Sequence, residues 1–274
     1  VKKILQWTLI SVMTACGGGS SQTPPPKEPA TVTAAQGPVM SAPQMTPPGG
    51  EKIDKTAMDV LRSMSDFLAK QPRITVHAEG SLEVVRENGE KVEFDHASQI
   101  TVKRPNAFRS DRVGALATGT LYYDGKTFAF YRPDTHYYAI APAPPTIDQA
   151  IDAAREKLGM ETAAADLLYS NAFATMTDDV KGSVYVGIYE LHGVRCHSLA
   201  FTGTETDWQI WIQEGPAPLP RKLVITTKTM KGAPEFRTEL SQWDFPATMD
   251  ESVFRFKPPA DATRIDFLPR GGTQ

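Results

Sequence analysis

The stretch from Val184 to Lys228 constrains the fold more than any other part of the chain. Val184 to Leu191, Val194 to Thr202 and Asp207 to Gln213 each alternate apolar and polar residues, and Arg221 to Lys228 follows after a Gly- and Pro-rich loop. Period-2 alternation rich in Val, Ile, Tyr and Trp, broken by Gly and Pro, marks consecutive antiparallel strands. Trp208, Ile210 and Ile212 are expected on one face, with Gln209, Trp211 and Gln213 on the other. Aromatic residues on both faces predict a sheet that is covered on one side or curled.

The same pattern fills most of the chain from Asp54 onward. Ile74, Val76, Ala78, Leu82 and Val84 alternate with polar residues, and Asn88-Gly89 reads as a tight hairpin turn with positive φ at both positions. The return strand puts Val92, Phe94, His96, Ser98, Ile100 and Val102 on one face. Shorter strands are expected at 107–113, 121–123, 127–132 and 136–141. A last long strand is expected at 235–245 and a short extended piece at 253–256. Apolar residues at helical spacing from Ala57 to Leu68, behind an Asp54 N-cap, predict a helix. Thr146 opens a second helix with the stripe Ile147, Ala150, Ile151, Ala154 and Leu158, and 163–169 offers a third, short one. Strand groups separated by helices predict an α+β fold, one antiparallel sheet with its helices collected on one side.

The N-terminus reads as targeting. Lys2 and Lys3 precede an apolar run over 4–15 that is too short to span a bilayer and matches a secretory signal. It ends in Thr14, Ala15, Cys16 and Gly17, which resembles a bacterial lipobox, with Cys16 the lipidated first residue of the mature chain. Residues 1–15 are thus expected to be a signal peptide. Two or more acyl chains on one residue give stable membrane anchoring. Residues 16–50 are Gly, Ser, Pro, Thr, Ala and Gln with few charges, the composition of a disordered tether. Residues 51–274 are expected to form the folded domain.

Charged residues make up 22% of the chain and the net charge is −3, so the concentrated basic surface of a nucleic-acid binder is lacking. There is no Gly-x-Ser-x-Gly elbow, phosphate loop or paired-histidine zinc motif. No cofactor and no enzymatic activity are expected. His192, Cys196 and His197 come nearest to a metal cluster, but strand neighbours Cys196 and His197 point to opposite faces. They read as a buried cysteine and a surface histidine. His96, on an otherwise apolar strand face, is either a hydrogen-bonded core residue or a polar group that orients a ligand.

A tether, a helix, the run Lys103 to Arg109, then Tyr123 to Lys126, and the pair Trp211 to Gln213 and Leu219 to Lys222 together resemble the lipoprotein-localisation carriers LolA and LolB. The chain is more similar still to a domain-of-unknown-function family of predicted periplasmic proteins in that structural group, over roughly residues 54–267. The resemblance implies an incomplete antiparallel barrel whose open side is plugged by helices, with an apolar cavity between. It also makes Val113 to Leu116 the nearest counterpart of the exposed apolar loop of LolB-type proteins. On such a curled sheet Phe94, His96, Phe128, Phe130 and Tyr138 are expected to line the concave side. A carrier keeps a cavity of several hundred Å³ beneath its helices, on the order usual for small-molecule sites, whereas a filled core keeps none. The implied function is a lipoprotein anchored at the periplasmic face of the outer membrane. It would bind a lipid, an acyl chain or a lipoprotein anchor without catalysis. The other reading is an envelope sensor that binds partner proteins.

Overall fold

The computed structural model describes residues 52–158 and 164–267; the expected signal peptide, Cys16 and the tether lie outside them. Helix α1 (Lys55–Ala69) starts where the sequence places it, because the Asp54 carboxylate accepts the Ala57 N–H at 3.1 Å. That bond satisfies one of the donors left free in a first helical turn. Ala57, Leu61, Met64, Ser65 and Leu68 form its buried stripe.

Six strands follow: β1 (Arg73–Val85), β2 (Lys91–Lys103), β3 (Ala107–Gly114), β4 (Gly119–Tyr123), β5 (Thr127–Arg132) and β6 (Tyr137–Pro142). Then come α2 (Ile147–Lys157), capped by Thr146, a 3-10 turn (Ala165–Leu168) and α3 (Ala172–Thr177), capped by Asn171. The second meander is β7 (Val180–Leu191), β8 (Val194–Gly203), β9 (Thr206–Gln213), β10 (Pro220–Thr227) and β11 (Glu235–Asp244). A second 3-10 turn (Glu251–Phe254) stands where an extended piece was expected, because the Asp250 side chain caps it through the Ser252 N–H. The two-residue β12 (Thr263–Arg264) runs parallel to β6; every other pairing among the described residues is antiparallel.

The twelve strands of the described residues belong to one sheet, ordered β12-β6-β5-β4-β3-β2-β1-β11-β10-β9-β8-β7. It is an incomplete barrel: β1 and β11 zip the two meanders together, and β7 and β12 stand at its two edges. The helices lie on one face. Beneath α1, Leu61, Met64 and Leu68 pack with Val76, Leu199, Ile210, Leu223 and Leu240. Beneath α2, Ile147, Ala150, Ile151 and Ala154 pack with Val102, Phe108, Tyr123 and Phe128. Trp208, Ile210 and Ile212 are buried in the α1 cluster as the alternation predicts, and Trp211 faces the other way under Lys222.

Turn chemistry departs from expectation at one place. The β1–β2 connection spans 86–90 and only Gly89 has positive φ; Asn88 uses its side chain to accept the Glu90 N–H at 3.0 Å. The two-residue turn with positive φ at both positions is instead His192-Gly193, between β7 and β8. This left-handed pair matches the right-handed twist of the strands it joins.

Candidate functional site

Register decides which side chains meet. His96 pairs with Gly114 and Gly80, Ser98 with Arg112 and Ala78, and Ile100 with Ser110. Arg112 pairs with Gly119, Ser110 with Leu121, and Leu121 with Phe130. Directly paired residues share a face, so Phe94, His96, Ser98, Arg112, Phe128 and Phe130 all lie on the helix-bearing face. Phe130 reaches across the side-chain-free Gly119: a Cβ there would stand 2.7 Å from its Cζ.

The five residues expected at the concave side do not act alike. Phe128 is 1% exposed within the α2 cluster, so it is core. Phe94 and Phe130 are half-buried on the same face and belong to neither packed cluster. Tyr138 must be reassigned. It pairs with Tyr131, one step out of phase with Phe130, and therefore points to the opposite face. There Phe256 sits against Tyr122, Tyr131 and Tyr138, at ring separations of 5.3, 5.7 and 5.3 Å. Tyr138 thus holds the C-terminal segment to the sheet.

His96 is 9% exposed and stacks on Phe236, with ring centroids 5.6 Å apart and planes 20° apart. Its Nδ1 is buried and has no hydrogen-bond partner among the described residues. Burial first, then the positive charge of Arg112, push its pKa down to about 4, against a smaller opposite pull from Asp95. The ring is therefore neutral at pH 7. The Arg112 Nε is buried and unpartnered in the same way, and burial lowers that guanidinium's pKa. Ser98, 8% exposed, pairs directly with Arg112 and lies two residues from His96 on β2. Together these groups offer hydrogen-bond donors and one positive charge beside half-buried phenylalanines. Sequence reasoning passed over Arg112. The alternation Phe108, Ser110, Arg112 already places a charge at an inward position, which is the signal that finds it.

A groove of about 600 Å³ crosses the middle of the sheet. Residues that line it include Glu79, Ser81, Asp95, Val113, Lys222, Arg237 and Glu239. By strand alternation most of these lie on the helix-free face, whereas Gly80, His96, Gly114 and Thr238, which also line the groove, belong to the helix-bearing face. Val113, among its lining residues, is 67% exposed. Elsewhere, the His197 Nδ1 is 2.9 Å from the Tyr185 hydroxyl, His192 pairs with Glu239 at 2.8 Å, and the buried Cys196 thiol lies 3.5 Å from the Val194 carbonyl. The three go separate ways.

The sequence matches the family described as "Predicted periplasmic protein (DUF2092)" over residues 57–268. No curated protein matches it. Among solved structures it is similar to an uncharacterized conserved protein from Thermus thermophilus. Identity is 12%, coverage 77% of this chain and 99% of that one, and the TM-score 0.45. It is also similar to the lipoprotein LppX of Mycobacterium tuberculosis, at 10% identity, 72% and 100% coverage and a TM-score of 0.41. A LolA superfamily protein from Nitrosomonas europaea is similar at 10% identity, 73% and 97% coverage and a TM-score of 0.35.

Proposed function

The chain belongs to the DUF2092 family of predicted periplasmic proteins, and on that premise we propose that it is a non-catalytic carrier of an apolar ligand. The ligand, an acyl chain or the anchor of another lipoprotein, lies on the helix-bearing face against Phe94, Phe130 and His96. The observation that carries this reading is the position of the two phenylalanines. Both sit on the face that forms the core, yet neither is packed into the cluster beneath α1 or that beneath α2. Apolar surface left in that position gains about 25 cal/mol per Å² when a guest removes it from water. Cys16 tethers the domain to a membrane through 16–50.

The test is Phe130→Asp, followed by circular dichroism and by binding of a fluorescent fatty-acid probe. A half-buried position outside the packed clusters tolerates the carboxylate, so the expected result is a folded protein that no longer binds the probe. A folded wild type that never binds the probe sinks the carrier reading. A second reading, a sensor that docks a protein, is favoured by Ile188 and Tyr189, 41% and 49% exposed on edge strand β7. Stoichiometric capture of a protein partner by lipid-free material supports it.

A further inference from the structure

We propose that Arg112 and His96 form the seat for an anionic oxyacid head, so that the ligand is an amphiphile whose tail lies over Phe94 and Phe130. The inference rests on the carrier reading and adds to it the chemistry of the ligand's polar end. Buried nitrogens nearly always find a hydrogen-bond partner, because desolvating a donor without replacing its water costs free energy. Five nitrogens are left without one among the described residues, and two of them, the Arg112 Nε and the His96 Nδ1, stand on adjacent strands and the same face. The charge on Arg112 is felt at His96, and Arg112 makes no ion pair with a described carboxylate. A half-buried guanidinium with no counter-ion calls for an anion from outside the chain. Its planar fork suits two oxygens of a carboxylate or phosphate. The neutral imidazole, with Nδ1 protonated, donates one further bond to the same group. Two apolar rings border this polar spot: Phe236 stacks on His96, and Phe130 covers Gly119 beside Arg112.

The experiment uses the full chain, delipidated, loaded with an uncharged fluorescent acyl methyl ester and challenged with palmitic acid, hexadecyl phosphate and methyl palmitate. The acid or the phosphate should displace the reporter about tenfold to a hundredfold better than methyl palmitate, the worth of a charge-assisted hydrogen bond. Whichever wins identifies the head as carboxylate or phosphate. In Arg112→Met that preference should vanish while methyl palmitate binds as before. Arg112→Lys, which keeps the charge and loses the fork, should retain part of it and serves in place of Arg112→Met if the latter does not fold. Equal displacement by acid, phosphate and ester in the wild type overturns the head site and leaves the apolar carrier standing. A preference that persists undiminished in the Arg112 variants overturns it as well. If the reporter itself does not bind, the carrier reading falls and the head site with it.

Discussion

Folding suppresses the protonation of His96. Its pKa is about 4 in the folded chain and about 6.5 in an unfolded one. As pH falls below 6.5, the unfolded state takes up a proton that the folded state refuses until about pH 4. Stability therefore decreases with falling pH through that window, and the full contribution of the neutral ring is present above it. Each pH unit of separation is worth about 1.4 kcal/mol, so His96 alone accounts for on the order of 3 kcal/mol. Urea unfolding between pH 4.5 and 7 should show the slope, and His96→Asn should flatten it. An unchanged slope in the variant would assign the pH dependence to other groups.

At the scale of elements, Asp54 ties the first helix to the edge of the second meander. Its carboxylate accepts from Ala57 N–H at the start of α1 and from Tyr185 N–H on β7 at 3.3 Å, and its own N–H donates to the Ser183 Oγ at 2.9 Å. The Ser183 N–H in turn reaches the Lys52 carbonyl at 3.0 Å. The segment before α1 thereby covers part of an edge strand that would otherwise offer free backbone groups to another chain. Asp54→Ala should cost about 1–2 kcal/mol, the upper part of the range for losing an N-cap, since one carboxylate serves two elements. Asp54→Asn keeps the acceptor for Ala57 and should lose less. Equal urea midpoints for wild type and Asp54→Ala would show that the edge contact contributes nothing.

The whole molecule is two meanders joined where β1 lies beside β11, an alignment that sets Leu82 against Phe236 and Ala78 against Leu240. The helix between the meanders, α2, covers the first of them, and α1, ahead of both, covers mainly the second. The proposed binding residues lie on β2, β3 and β5 of the first meander, and the two phenylalanines among them belong to neither helix cluster. A carrier needs such a place, where apolar surface stays open without unfolding anything. Membrane attachment belongs to this scale too. If Cys16 bears the acyl chains, Cys16→Ser should move the protein from the membrane fraction to the soluble fraction. Persistence of the variant in the membrane fraction would place the anchor elsewhere.

By itself the sequence determined what depends on near neighbours. Alternation along each strand, the stripe of α1 behind its Asp54 cap, the Thr146 start of α2 and the Asp124-Gly125 turn all rest on interactions within a few residues. The tertiary structure alone decided which strand faces coincide and which patches the helices cover. Alternation fixes a residue's face relative to its own strand; its face relative to the next strand depends on where the intervening turn sets the register. That is why Tyr138, one step out of phase with Phe130, serves the C-terminal segment instead of a ligand. Left-handed turn geometry likewise falls at His192-Gly193, in a two-residue link, and not at Asn88 in a longer connection. Phe128 and Phe130 read identically in the sequence. One is sealed by α2 and the other is not, because burial is set by a helix that begins at Ile147, beyond the reach of any strand's own pattern.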